Sequence, residues 1–201
     1  MTELAPVLAV VAVAVGAGNT LPYAYDAVRR TTVPHRGTWL IWSVLGVVSL
    51  ESQRADGARW SLLPLATQAA GTCVILGLSV RVGSGGLSRA EVALLALAGL
   101  GVAGWQAVDT PVVATACVIV ADLIGAVLMV PKTWRDPSSE TLSLFVLAAV
   151  GGAATAGSVG SLSAPLVMYP IYYFLVNAAL GTLILLRRGS RRRCAAIAVS
   201  A

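Results

Sequence analysis

The sequence predicts an all-α membrane protein with seven transmembrane helices, and three observations support this prediction. Apolar side chains make up 57% of the 201 residues and charged side chains only 11%, whereas soluble domains carry about 25% charged residues. The mean hydropathy is +0.83. The charges fall in short clusters, and the apolar runs between them are long enough to cross a hydrocarbon layer roughly 30 Å thick. We therefore expect a multi-pass protein of the cell membrane.

Cutting the chain at its charge clusters defines the individual helices. The first apolar run is longer than the apolar core of a signal peptide and no basic residue precedes it, which predicts a retained first helix. The second span is the least certain, because Glu51 and Arg54 follow its apolar run and hydrocarbon does not tolerate them unless they face protein or water. Six spans remain if that one fails. The seven expected spans are residues 4–28, 37–55, 60–80, 89–108, 110–133, 140–158 and 164–186.

The basic residues predict the orientation of these helices. Seven spans leave only Arg54 and Arg59 on one side of the membrane and twelve bases on the other. By the positive-inside rule, the N-terminus is outside and the C-terminus inside. This asymmetry accounts for the net charge of +5 without nucleic acid as a partner. The tail 187–193 is interpreted as an anchor, with contact to anionic lipid headgroups as the alternative. The twelve bases are Arg29, Arg30, Arg36, Arg81, Arg89, Lys132, Arg135, Arg187, Arg188, Arg191, Arg192 and Arg193.

The sequence contains no motif of a metal site, a cofactor site or a catalytic centre. Cys73, Cys117 and Cys194 lack the spacing of metal ligands or of a disulfide framework. The single histidine, His35, falls in a basic loop, and no phosphate-binding or nucleotide-binding fingerprint is present. We therefore expect no metal, no cofactor and no enzymatic activity.

An internal repeat relates the two halves of the chain. Residues 29–42 resemble residues 132–145, displaced by 103 positions. An odd-numbered helical unit followed by one connecting helix predicts that both copies have the same orientation in the membrane. The matched pairs are Pro34 with Pro137, Thr38 with Thr141, and Trp42 with Phe145. The expected segments are a first three-helix repeat (1–86), a connecting helix (87–109), a second three-helix repeat (110–188) and a basic cytoplasmic tail (189–201).

With this 3+1+3 arrangement, the chain resembles the PQ-loop superfamily, which includes the SWEET and SemiSWEET sugar transporters, over nearly its whole length. It is most similar to the bacterial branch of unassigned function, which implies a bacterial inner membrane. The family has Pro-Gln near the inner end of the first helix of each repeat. This chain has Pro22-Tyr23 there, and Gly125 or Leu128 in the second repeat with a displaced Pro131. The resemblance implies an inner hinge and gate at Pro22 and Tyr23; the alternative for Tyr23 is an aromatic residue of the membrane interface.

Three polar residues share one expected depth in the membrane. Asn19, Asp122 and Asn177 each lie ten residues before a cytoplasmic base, which places them roughly 15 Å into the bilayer. Polar atoms at that depth must face each other or a wet cavity, so they predict a substrate site. The alternative for the two asparagines is hydrogen bonding between helices, worth about 1 kcal/mol or less. In SWEET proteins an Asn on the third helix of each repeat lines the sugar pocket, which Asn177 matches; the first repeat offers Gln68 about one turn away.

Asp122 is the strongest single indication of a functional site. An ionised carboxylate at the midplane costs several kcal/mol, and no base lies at its expected depth. It must be neutral, hydrogen-bonded or reached by water. Exchange of its proton across the membrane would couple transport to the proton gradient; a silent protonated aspartate is the alternative. Trp42 is interpreted either as a membrane-interface residue or as a flat face that stacks on a ligand.

The sequence thus predicts an alternating-access transporter, either a facilitator or a proton-coupled carrier, of a small polar solute such as a sugar or an amino acid. A non-transporting membrane receptor or scaffold protein is the alternative. Its partners are the solute and the lipid bilayer, and small-residue faces permit a homo-oligomer. The expected substrate-binding residues are Asn19, Trp42, Gln68, Asp122 and Asn177.

Overall fold

The computed structural model describes residues 4–55, 62–86, 88–107, 111–158 and 164–200. This part of the chain forms seven α-helices and one short 3₁₀ helix and has no β-strand, which confirms the all-α prediction. Arg59, one of the two bases expected outside, is not among the described residues. The helices are α1 (Leu4–Val28), α2 (Arg36–Ala55), α3 (Leu62–Val82), α4 (Arg89–Ala107), α5 (Pro111–Arg135), α6 (Leu142–Ser158) and α7 (Ala164–Ser200), and the 3₁₀ helix is Pro137–Ser139.

Three of these helices are long and apolar enough to cross a membrane. They contain the segments Leu62–Val82 of α3, Thr115–Arg135 of α5 and Met168–Arg191 of α7. A shorter apolar segment, Leu142–Ala153, lies in α6. Such lengths match the roughly 20 apolar residues that a transmembrane helix needs, which is consistent with a membrane protein.

The helix bounds follow the sequence prediction closely except at the C-terminus. We expected the seventh span to end near residue 186, but α7 continues to Ser200. Contacts with the end of α5 and the loop that follows it hold this continuation. Arg188 donates to the main-chain oxygens of Pro137 and Glu140, and Arg191 donates to that of Arg135. Arginine also has a high helix propensity, so the helix can continue beyond the end of the apolar run.

The packing of the helices follows the same pattern in both halves of the chain. Helix α3 packs against α1 and α2, and α7 packs against α5 and α6. Between these groups α2 packs on α5 and α1 on α6, while α4 packs on α5 and α2. Glycines allow two of these approaches. A Cβ at Gly125 would lie 2.9 Å from Trp42 Nε1, and one at Gly152 would lie 2.8 Å from the main-chain nitrogen of Phe174.

The basic segments of the chain meet at one end of the bundle. The Val33 main-chain N–H donates to the Ser139 oxygen at 2.8 Å, and the Ser84 N–H donates to the Pro34 oxygen at 2.9 Å. Arg188 ties α7 to the same group of loops. Buried Pro34 is therefore held from both sides of the bundle. We define the basic end as segments 29–36, 83–86, 132–141 and 187–191.

Candidate functional site

Asp122 is buried in the interior of the helix bundle. It lies on α5, and its side chain is 8% exposed. The Tyr172 hydroxyl on α7 donates a hydrogen bond to its Oδ2 at 2.7 Å. Within the described residues, neither a lysine nor an arginine forms an ion pair with it. The carboxyl group therefore has the hydrogen-bond partner that burial demands, but no positive charge that would hold it ionised.

A cluster of tyrosines surrounds the α7 side of this carboxyl group. The Tyr169 ring lies 6.1 Å from the Tyr172 ring and stacks on the Tyr173 ring at 5.9 Å, measured between centroids. Residues at spacings of three and four share one face of a helix, so the sequence Tyr169-Pro170-Ile171-Tyr172-Tyr173 presents two or more hydroxyl-bearing rings toward α5. Tyrosine combines an apolar ring with a polar tip, and this makes the region amphipathic.

Trp42 lies against α5, one helical turn from Asp122. Its Nε1 occupies the space beside Gly125, where a Cβ would be 2.9 Å away. On the other side, the Trp39 ring meets the Trp42 ring edge-on at a centroid distance of 5.2 Å. Trp42 thus contacts α5 one helical turn from Asp122, whereas the hydrogen bond of Asp122 itself is with Tyr172 on α7.

Three buried polar atoms on α1 and α2 have no hydrogen-bond partner in the described part of the chain. They are Asn19 Oδ1, Trp42 Nε1 and Ser43 Oγ. A buried polar atom left unpaired costs about 1–3 kcal/mol, so native proteins nearly always satisfy such groups with protein, water or ligand. Asn19 Oδ1 on α1 is an acceptor and Trp42 Nε1 on α2 is a donor that no hydrogen bond among the described residues satisfies.

The other two predicted substrate-binding residues lie elsewhere. Gln68 is exposed on α3. Asn177 is buried on α7, where its Nδ2 donates to the Tyr173 main-chain oxygen one turn earlier at 2.9 Å. Asn177 also lines an open groove of about 530 Å³ between α6 and α7, whose other lining residues include Val150 and Phe174. The structure therefore does not bring Gln68 and Asn177 to the α2–α5 interface.

The predicted gate residues differ in their environments. Pro22 is exposed, whereas Tyr23 is fully buried at 0% exposure. The Tyr23 hydroxyl donates to Glu140 Oε2 at 2.9 Å and accepts the Trp39 Nε1 hydrogen at 3.3 Å. Tyr23 thus joins α1 to the loop before α6 within the basic end.

Glu140 is the centre of a polar network at this end. It is 1% exposed and forms an ion pair with Lys132, whose ammonium group also donates to the main-chain oxygens of Val33 and Ser139. Burial raises the pKa of the Glu140 carboxyl, and the Lys132 ammonium and the Tyr23 hydroxyl oppose that rise. Because Val33 and Tyr23 come from the first half of the chain and Glu140 from the second, the network ties the two halves together.

Two threonines that match in the repeat form reciprocal contacts between the halves. Thr38 Oγ1, at the start of α2, donates to the Gly125 main-chain oxygen on α5 at 2.6 Å. Thr141 Oγ1, just before α6, donates to Asp26 Oδ2 on α1 at 2.7 Å. Thr32 Oγ1 completes this second contact, 2.7 Å from Thr141 Oγ1. Thr38 therefore contacts α5, the first helix of the second half, and Thr141 contacts α1, the first helix of the first half.

His35 links the starts of α2 and α4. Its ring is buried; Nδ1 accepts the Thr38 main-chain N–H at 3.3 Å, as a helix N-cap does, and Nε2 lies 3.1 Å from Glu91 Oε1. Glu91 also accepts the Ser88 N–H at 3.0 Å while Ser88 Oγ accepts the Glu91 N–H, which is a capping box. A neutral ring with its proton on Nε2 satisfies both contacts of His35.

This geometry predicts a loss of stability in acid that depends on His35. Burial lowers the pKa of His35 below its ordinary value of 6.5; Lys132 and Arg36 lower it further, and Glu91 opposes them. As the pH falls below about 6.5, the unfolded chain takes up the proton before the folded one, so the free energy of unfolding falls by at most about 1.4 kcal/mol per pH unit. We expect the melting temperature of the purified protein to decrease from pH 7 to pH 5.5, roughly the range in which histidine titrates.

The matched control is His35→Asn, because asparagine is an equally good N-cap but does not titrate. We expect this variant to melt lower than the wild type at pH 7, where it lacks the Glu91 contact, and to show a weaker decrease toward acid. All other titratable groups are common to both proteins. Equal pH slopes in the two proteins would contradict the assignment to His35.

Several of these residues were not among the predicted site residues. In the sequence prediction, Glu140 only marks the beginning of a span, and Lys132 only contributes to the orientation of the helices. Two sequence features could have indicated these residues: Lys132 is the only lysine in the chain, and three tyrosines lie close together at positions 169, 172 and 173. The pairing of Tyr172 with Asp122 depends on how α5 and α7 pack, which no local pattern encodes. Within the described residues, no group of three or more His, Cys, Asp and Glu side chains could hold a metal ion.

No protein-family model, no curated protein and no solved structure matches the chain.

Proposed function

We propose that this protein is a membrane carrier of a small polar solute that works by alternating access between two three-helix units, α1–α3 and α5–α7, joined by α4. The solute binds against α5, between Trp42 on α2 and the carboxyl group of Asp122, with Asn19 on α1 as a further proposed contact. Seven membrane spans, an outside N-terminus and the PQ-loop likeness belong to this proposal. The repeated packing pattern, in which α3 and α7 each hold two partners, supports the two units.

One observation carries the proposal: within the described residues, Asn19 Oδ1 and Trp42 Nε1 are buried without a hydrogen-bond partner, and Trp42 lies one turn of α5 from the buried Asp122 carboxyl. A structural core satisfies such groups, because each unpaired atom costs about 1–3 kcal/mol. A binding site leaves them open, since the solute supplies the missing partners. A solute with both a hydrogen-bond acceptor for Trp42 and donors for Asn19 and Asp122, such as a polyol or an amino compound, meets these requirements.

The basic end supports the alternating-access part of the proposal. There, the two units are held together by the contact of Tyr23 with Glu140, by the ion pair of Lys132 with Glu140 and by the Thr38 and Thr141 contacts. In this state the site is closed toward the basic end. Release of the solute on that side requires these contacts to separate, and we assign Tyr23 to the gate and Pro22, which removes a helical hydrogen bond, to its hinge.

The test is a two-step measurement on the full chain. A thermal-shift screen of the detergent-purified protein against sugars, amino acids, polyols and small organic acids identifies a ligand, because a ligand of the folded state raises the melting temperature. The hit is then followed into liposomes that contain the protein. We expect saturable uptake and counterflow of labelled solute. If no compound shifts the melting temperature and no solute enters the liposomes, the carrier proposal is wrong.

Trp42→Phe keeps an aromatic ring at the site and removes the unpaired N–H together with the five-membered ring of the indole. We expect a moderate decrease in the melting temperature without ligand, because the space left by the smaller ring outweighs the loss of one unsatisfied donor. We also expect it to bind the solute roughly tenfold or more weakly. Unchanged affinity in this variant would remove Trp42 from the site.

The alternative function is a non-transporting receptor or scaffold. The extension of α7 to Ser200, with Arg191 and Arg193 exposed, favours it because it projects a basic helical arm beyond the apolar segment. This alternative predicts a protein partner that is lost on truncation after Arg187, together with no saturable solute flux.

A further inference from the structure

We propose that the groove between α2, α3 and α4 at the basic end is a binding site for one anionic phospholipid. The groove has a volume of about 280 Å³ and a polar upper part formed by Arg36 and Gly86. Its lower walls are apolar and are formed by Leu40, Leu76, Val80 and Leu95. This division into a charged and an apolar part corresponds to the headgroup and the acyl chain of a lipid.

Arg36 supplies the charge that selects an anionic headgroup. Its Nε donates to the Ser79 main-chain oxygen at 3.0 Å and its Nη1 to the Gly85 oxygen at 3.3 Å. Both acceptors are neutral, and within the described residues no carboxylate forms an ion pair with this guanidinium. The Glu91 carboxylate is engaged by His35 and by its capping box. Of the five N–H donors of the guanidinium, three remain for a phosphate group.

The position of the groove makes a lipid its natural occupant. One wall is the end of α3, a helix long and apolar enough to cross a membrane, and Val80 on that wall is 68% exposed. Leu40 on the opposite wall is 42% exposed. At the end of a membrane span, outward-facing apolar side chains lie beside acyl chains. A guanidinium at the same level lies beside the lipid phosphates. The volume is slightly below the roughly 300–1,000 Å³ of pockets that enclose small molecules, which fits a segment of a single acyl chain.

The geometry also explains why an occupant there would stabilise the fold. Arg36 begins α2, Ser79 lies in the last turn of α3 and Gly85 belongs to the loop that leads into α4, so a headgroup on Arg36 sits where three helices are joined. The bound lipid adds a further contact that joins α2, α3 and the loop before α4. This inference concerns a different surface from the solute site and does not depend on the proposed transport.

The experiment measures the melting temperature of the full-length protein in detergent micelles that contain phosphatidylcholine, as phosphatidylglycerol is added. We expect a saturable increase for the wild type. Arg36→Gln is expected to need roughly tenfold or more phosphatidylglycerol for half the increase, because one charge-assisted phosphate contact is lost. Arg193→Gln, which removes an exposed charge at the far end of α7, is the matched control and is expected to behave like the wild type.

Leu40→Trp tests the apolar part of the groove without touching the contacts of Arg36. A larger ring there fills the space of the acyl chain, so we expect this variant to fold and to lose the increase with phosphatidylglycerol. An equal weakening by Arg193→Gln would mean only diffuse attraction to the basic end and would overturn the proposal. A full increase with free glycerol phosphate would assign the site to a soluble phosphate and would also overturn it, as would a normal response of Leu40→Trp.

Discussion

Lys132→Met is expected to lower the free energy of unfolding by about 3–5 kcal/mol, the usual cost of removing one partner from a buried ion pair. Glu140 is 1% exposed, and its only ion-pair partner in the described part of the chain is Lys132. Arg188 does not replace it, because the hydrogen bond of Arg188 is to the Glu140 main-chain oxygen. The measurement is chemical denaturation of the purified variant in detergent at neutral pH.

The double variant Lys132→Met/Glu140→Gln is the control for this prediction. Glutamine is uncharged and still accepts the Tyr23 hydroxyl hydrogen, so the double variant is expected to regain most of the stability that Lys132→Met loses. Strictly additive effects of the two substitutions would mean that the two charges are not coupled.

The pH dependence of Lys132→Met provides a second signature. Burial raises the pKa of Glu140 in the wild type against the opposing effects of Lys132, Tyr23 and Arg188, and without the Lys132 ammonium group this pKa rises further above that in the unfolded chain. The folded state then binds a proton more readily, and the variant is expected to gain stability relative to the wild type as the pH falls. A constant difference between the two proteins across the acidic range would contradict this explanation.

For the proton-coupled form of the proposed carrier, Asp122→Asn is expected to abolish the accumulation of solute driven by a proton gradient while solute exchange between the two sides continues. Asparagine has nearly the same shape and still accepts the Tyr172 hydrogen bond, but it cannot carry a proton. Accumulation requires that proton to cross with the solute, whereas exchange requires only that the loaded site faces each side in turn. The measurement compares gradient-driven uptake with counterflow in liposomes.

Tyr172→Phe is the matched control, because it removes the hydroxyl that contacts Asp122 Oδ2 and keeps the carboxyl group. We expect this variant to accumulate solute with an altered pH dependence. If Asp122→Asn accumulates solute as well as the wild type, proton coupling through Asp122 is wrong, and the protein is a facilitator or another residue carries the proton.

The helical architecture was largely predictable because it depends on local patterns. Six of the seven helices end close to the predicted bounds, since charge clusters separate their apolar runs and Pro34 and Pro137 lie just before α2 and α6. Pro22, Pro131 and Pro170, by contrast, lie inside helices. The continuation of α7 to Ser200 was not predictable from hydropathy. An arginine-rich segment has high helix propensity, but only the loop carbonyls that Arg188 and Arg191 meet decide that it remains docked.

The candidate site was predictable only in part. Asp122 was easy to single out, because a carboxyl group within an apolar segment is rare and its burial in the charged form costs free energy. The role of Trp42 stays a prediction, and its place beside Gly125 is a contact that no local pattern encodes. Gln68 lies exposed on α3, and Asn177 lines a groove between α6 and α7. Depth along a helix follows from counting residues, whereas the direction that a side chain faces depends on the packing of its neighbours.

Local sequence patterns were enough to predict the all-α class, the limits of six helices and the grouping of the bases, because composition and the spacing of charges act on each segment separately. Which residues act together depends on how the helices pack. This packing pairs Tyr23 and Lys132 with Glu140, Tyr172 with Asp122, and His35 with Glu91. These partners lie between 8 and 117 positions apart in the chain. Such pairs form because burial makes each polar group need a partner, and which partner is within reach is fixed only when the helices pack.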